Sequence, residues 1–179
     1  MTRNRRVIVH NIPYFITCNV HEEACVTLHS VADALVSVLN AARPRFGLEL
    51  HGYVIMPDHW HALLTTHPPH DPSKVMCWVK ARSAISICDA LGTRGPLWQR
   101  RFYDRVCRNE VEFGDALDYI HLNPVKDTLV RSPEDWPWSS WYAYAEGGKP
   151  PLEVDPVGGS FDARWAEWQH HPAPRRRTS

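Results

Sequence analysis

The 179-residue chain has no apolar run long enough to cross a bilayer, which takes about 18 or more residues, so a membrane helix is not expected. Its start, MTRNRRVIVHNIPYF, carries basic residues but no long apolar stretch and no small-residue cleavage site, so no secretory leader is expected either. Paired cysteines are missing as well. The five cysteines, Cys18, Cys25, Cys77, Cys88 and Cys107, are odd in number and form no C-x-x-C. They read as free thiols in a reducing cytosol. No internal repeat occurs, which sets repeat architectures aside. Net charge is absent too, with 20 basic against 20 acidic residues.

What is present fits one globular domain. The length allows a proper core and leaves little for a second, and 44% of residues are hydrophobic. We place a domain over residues 1–147 and a largely irregular C-terminal extension over 148–179, where Gly, Pro and charge dominate. A WAEW segment (165–168) has packing potential, and HHPAPRRRTS reads as disordered. The zero net charge hides segregation. From Lys74 to Arg108 eight basic residues face two acidic ones, and from Asn109 to Asp135 seven acidic residues face two basic ones. A basic block of this kind suits a groove that tracks phosphates. A solvated helix face with long basic stems accounts for it equally well. The eight tryptophans are core material in the first instance, although exposed rings also stack on unpaired bases.

Pattern and punctuation give the order of elements. Tyr14 to Asn19 reads as a strand from its branched and aromatic residues. Leu28, Val31, Leu35, Val38, Leu39 and Ala42 recur at helical spacing, with Pro44 and Gly47 as the stop. A β-hairpin over 48–66 follows, turning at Met56-Pro57-Asp58. Pro72 opens a helix to about Leu91, with Val75, Trp78, Val79, Ile85 and Cys88 as its buried stripe. LWQRRFYDRV (97–106) alternates as a strand. Asn109 and Glu112 form a capping-box-like start to a helix that should end near Asn123, ahead of Pro124. Trp136, Trp138, Trp141 and Tyr142 are expected to form a hydrophobic lid over the sheet. The order β, α, hairpin, α, β, α predicts an α+β fold with one antiparallel sheet and helices packed on it.

Two features carry chemistry. His59-Trp60-His61 opens the second hairpin strand, so both imidazoles point to one face and Trp60 to the other. Paired imidazoles on a rigid strand suit a metal ion, although an H-x-H also arises by chance in a chain with 11 histidines. Tyr119 and Asn123, four residues apart, share one helical face. The Asn123 amide can supply a weak third ligand, and the Tyr119 phenol is a candidate nucleophile. The plain alternatives are a half-buried tyrosine and a helix cap before proline. A divalent ion on a phosphodiester stabilises the charge that gathers on its non-bridging oxygens. A nearby cation also favours the phenolate. Attack would release a 3′-hydroxyl and leave a covalent link between tyrosine and the 5′ end.

HGYVIMPDHWHALL, WQRRFYDRV, LDYIHLNPVK and RSPEDWPWSSWYAY together resemble the REP-associated tyrosine transposases of the HUH endonuclease superfamily. The resemblance spans about residues 10–145. It implies a ferredoxin-like, RRM-like sheet, a magnesium or manganese ion, and single-stranded DNA carrying imperfect hairpins as substrate. By position it implies His59 and His61 as the HUH histidines, Tyr119 as nucleophile and Asn123 as third ligand. His121, beside them, should sit off the Tyr119–Asn123 face. It further implies that the basic arm helps read a guide sequence, with Arg3, Arg5 and Arg6 as candidates. Lys80, Arg82, Arg100, Arg101 and Arg105 are candidate DNA contacts from the basic block. The expected protein is a cytoplasmic, nucleoid-associated transposase, monomeric or homodimeric, with no membrane partner. Two other readings stay open: a metal-dependent phosphoesterase using water, and a domesticated hairpin-binding protein without strand transfer.

Overall fold

In the computed structural model, residues 8–24, 26–145 and 148–155 are described. Arg3, Arg5, Arg6 and the expected packing of residues 165–168 lie outside them. Four strands form one sheet: β1 (Pro13–Asn19), β2 (Glu49–Ile55), β3 (His59–Thr65) and β4 (Tyr103–Val106). Their order is β2-β3-β1-β4, with each neighbouring pair antiparallel. Helices α1 (Leu28–Phe46) and α2 (Pro72–Leu91) fill the two crossovers. This β-α-β-β-α-β connectivity is the ferredoxin-like arrangement. A third helix, α3 (Glu110–Lys126), follows β4, then a 3-10 turn (Pro133–Asp135) and a single turn of helix, α4 (Trp141–Tyr144). No helix among the described residues is long and apolar enough to cross a membrane.

The helix starts follow from their caps. The side chains of Thr27, Asp71 and Asn109 accept from the amides of Ser30, Lys74 and Glu112, satisfying donors the first turn leaves open. The ends differ from expectation. Pro44 lies inside α1, which runs to Phe46 before Gly47 turns left-handed at φ 59° and donates to the Arg43 carbonyl. Pro124 likewise lies inside α3. Proline disfavours helix at the residue before it, but Asn123 and Pro124 are both buried here, and packing outweighs the local preference. The buried stripe of α2 is Pro72, Val75, Met76, Val79, Ser83 and Ile87, while Ile85 is exposed.

The strand expected over 97–106 is interrupted. Between the pairs Thr17↔Tyr103 and Val20↔Trp98, β1 advances three residues and its partner five. The surplus turns the Gln99 and Arg100 carbonyls to the Lys80 ammonium. The tryptophan-rich segment also differs from a lid over the sheet. It runs along the outer edge of β2, where Trp138 O accepts from Ile55 N, Ser140 Oγ accepts from Tyr53 N, and Trp136 Nε1 donates to Ile55 O. Residues 148–155 contain no helix or strand. They continue this cover, for Asp155 accepts from Leu50 N and donates its own amide to Leu50 O. An edge strand left bare would recruit other strands; this one is sealed by its own chain.

Candidate active site

Alternate residues of β3 go to opposite faces of the sheet. Trp60 turns toward α1 and α2, fully buried and 6.5 Å from the Trp98 ring, whose indole nitrogen donates to Ser83 of α2. His59 and His61 turn the other way, with ring centroids 4.7 Å apart. Each imidazole is already held at Nδ1. For His59 the partner is Asp58 Oδ1 at 2.7 Å, and for His61 it is Thr17 Oγ1 on β1 at 2.9 Å. A carboxylate accepts, so His59 donates from Nδ1 and turns Nε2 to the open side of the ring. Burial first, and then the His59 imidazole beside it, pushes the His61 pKa down to about 3. His61 is therefore neutral at physiological pH, the form that ligates metals.

Helix α3 lies across this face. It can approach closely because β2 has glycine beneath it: a Cβ on Gly52 would stand 2.6 Å from Leu117 Cδ1. Asn123 is buried beside the histidines, its Nδ2 3.4 Å from His61 Nε2. Its Oδ1 is buried and has no hydrogen-bond partner. The Tyr119 ring lies 5.2 Å from the His61 ring and 5.7 Å from Phe15, both edge-on, and is 41% exposed. Lys126, two turns on, reaches back to place Nζ 4.7 Å from the Tyr119 ring centroid. His121 points off this face: its Nε2 meets Ser140 Oγ at 2.9 Å, and burial lowers its pKa to about 4.

The donor set fits a divalent ion that accepts nitrogen and oxygen. Two imidazoles are oriented by their outer nitrogens, and a buried amide oxygen lacks a partner, which is costly unless something satisfies it. Among the described residues no three His, Cys, Asp or Glu side chains gather to hold a metal. The third donor here is an amide, outside that group of residue types.

The basic candidates scatter. Arg82 is exposed on α2, the helix against the Trp60 face. Lys80 braces the 99–100 carbonyls. Arg100 and Arg101 are exposed beside β4. Arg105 reaches the histidine face, with its guanidinium carbon 5.9 Å from the Phe15 ring centroid. Sequence reasoning did not select Asp58, Thr17, Phe15 or Lys126. Asp58 adjoins the histidine it orients, so the D-H-x-H string was a usable signal. The contact of Thr17 across 44 residues had none.

Comparison with known proteins bears on the family and the fold. Residues 8–123 match the family described as Transposase IS200 like, a span that holds both histidines and Tyr119 and ends on Asn123. A REP-associated tyrosine transposase of Escherichia coli (strain K12) is 26% identical over 153 residues, 86% of this chain and 90% of that protein. A solved structure of a REP-associated tyrosine transposase bound to a REP hairpin matches with a TM-score of 0.69 at 24% identity, covering the whole of both chains. That likeness supports the fold.

Proposed function

This chain belongs to the IS200-like transposase family, and from that premise we propose that it is a metal-dependent single-stranded DNA endonuclease and strand transferase, acting beside repeat hairpins. The observation that carries the proposal is the convergence of Tyr119 and Asn123 of α3 on the His59–His61 pair of β3. Tyr119 Oη would bond to phosphorus as the bridging 3′ oxygen leaves, and the phenolic proton balances the 3′-hydroxyl released. The product is a 5′-phosphotyrosine, whose bond energy is conserved for rejoining. His59, His61 and the Asn123 oxygen would hold a magnesium or manganese ion. When bound, the ion would neutralise charge on the non-bridging oxygens. Asp58 and Thr17 orient the imidazoles. Phe15 and His61 flank the Tyr119 ring and restrict its swing. Because Tyr119 and the histidines meet within one chain, the arrangement supports a site complete in one protomer.

A labelled single-stranded oligonucleotide carrying a repeat hairpin, incubated with manganese, tests this on a denaturing gel. A protein–DNA adduct is expected. Tyr119→Phe should lower it by about a thousandfold or more while hairpin binding persists. EDTA should stop cleavage with little loss of binding. Cleavage that persists in Tyr119→Phe identifies a water-using phosphoesterase instead, and binding with no cleavage at all identifies a hairpin-binding module.

A further inference from the structure

Helix α3 packs on β2 and β3 of the histidine face and reaches Phe15 of β1 through Tyr119, while Tyr103 and Arg105 of the edge strand β4 are exposed beside it. Strand register says what stands there. Tyr103 of β4 pairs with Thr17 of β1, which pairs with His61 of β3. Directly paired residues project to one face, so Tyr103, Thr17 and His61 form a row across the sheet. In the next row Arg105 pairs with Phe15, and Phe15 with Leu63. Adjacent strands lie about 4.8 Å apart, so Tyr103 stands about 10 Å from His61 along the row. The chemistry of the row is graded: His61 is buried, Thr17 half-buried, and Tyr103 57% exposed.

An exposed tyrosine opening a short edge strand buries little of its own area, so packing does not account for it. Its neighbours on this face are Arg105, itself exposed over the Phe15 ring, and the β1 end residue Asn19, whose amide meets Gln99. An aromatic ring flanked by a guanidinium, on an exposed strand and in one row with the proposed phosphodiester-cleaving site, matches one kind of ligand. We infer that Tyr103 is a stacking platform for an unpaired nucleobase of the single strand near the cleaved bond, with Arg105 taking the adjoining phosphate. Every base has a π-face, so the platform would hold the strand in position without reading its sequence. A duplex stem, whose bases are already stacked, gains nothing from it. The inference rests on the function proposed above and adds a binding subsite to it.

The test uses the full chain carrying Tyr119→Phe, so that the DNA stays intact. Two oligonucleotides are compared: a hairpin with an unpaired flank, and the same hairpin without one. A fluorescent base analogue is placed at each flank position in turn. In the Tyr119→Phe parent, quenching is expected at one or two flank positions. Adding Tyr103→Ala or Tyr103→Leu should weaken binding of the flanked hairpin roughly 5- to 100-fold and abolish that quenching. The flankless hairpin should be unaffected, and Tyr103→Trp should restore both signals. The leucine variant keeps apolar bulk on the strand, so its loss of quenching cannot be put down to a disturbed fold. Equal weakening of both hairpins, or quenching that survives Tyr103→Leu, overturns the inference. If wild-type protein forms no adduct yet these binding differences hold, the catalytic reading fails and the platform stands.

Discussion

His61 and His121 are both buried imidazoles, 3% and 4% exposed, and burial pushes both far below the ordinary histidine range. Their surroundings differ. The His121 nitrogen that faces β2 is matched. This Nε2 meets Ser140 Oγ, and the same hydroxyl bonds the Tyr53 amide and carbonyl, so α3 is tied to β2 by a closed set. Around His61 the matching stops short. Nδ1 is held by Thr17, Nε2 has only the long 3.4 Å contact to Asn123, and the Asn123 oxygen has no partner. Burial and a depressed pKa therefore do not separate a structural histidine from a ligating one. What differs at the proposed site is that the unmatched Asn123 oxygen adjoins an imidazole nitrogen that is itself only weakly bonded, a pairing that a bound ion would satisfy.

The contrast can be broken at either side. The largest effect is expected from Asn123→Leu. It removes the unmatched oxygen, so the metal-free protein should gain about 1 kcal/mol and melt a few degrees higher. Adduct formation should fall by about 10- to 100-fold or more. A scan of thermal unfolding beside the gel assay reads both, and a loss of stability would place Asn123 with the structural set. Ser140→Ala should do the reverse. It strips partners from His121 and Tyr53 and should cost about 1–3 kcal/mol, while adduct yield measured well below the melting point changes only a few-fold. A collapse of activity without loss of stability would assign Ser140 a direct role.

A smaller effect is expected from Gly52→Ala, which forces Leu117 to turn away and α3 to shift slightly. A cost of about 1 kcal/mol is expected. Because Tyr119 and Asn123 ride on the same helix, adduct yield should drop several-fold beyond what stability explains. A further effect is in the pH dependence of folding. Unfolded histidine titrates near 6.5 and folded His121 near 4, so the unfolded state takes up the proton first as pH falls. Stability should be full above about pH 6.5 and decline from there toward pH 4, with His61 extending the decline toward pH 3. Denaturant titrations across that window should show a shallower slope for His121→Gln. An unchanged slope would mean that His121 is not the neutral buried group described.

Much of this was legible in the sequence. Residue type located β1, apolar spacing α1, Pro72 the start of α2 and the Asn109 cap the start of α3, because these signals are set by residues close in the chain. The H-x-H pair on one strand face and the i,i+4 relation of Tyr119 and Asn123 are equally local. Three readings went astray for a shared reason. Pro44 and Pro124 sit inside helices, residues 97–106 break into two pieces, and the tryptophan segment seals an edge rather than a face. In each, a preference worth little per residue met packing from distant segments: buried Pro124 in α3, Lys80 on the 99–100 carbonyls, and the bare β2 edge.

By itself, then, the sequence determined which side chains share an element and a face. It could not determine that α3 crosses the sheet at β3, bringing Asn123 to His61 across 62 residues. That was decided in three dimensions, by a glycine at position 52 that lets the helix approach, by the Ser140–His121 tie on its far side, and by Thr17 turning the imidazole to meet it. The physical reason is range: dihedral preferences and side-chain periodicity act over a few residues, whereas a site assembled from two elements depends on how closely their backbones can approach.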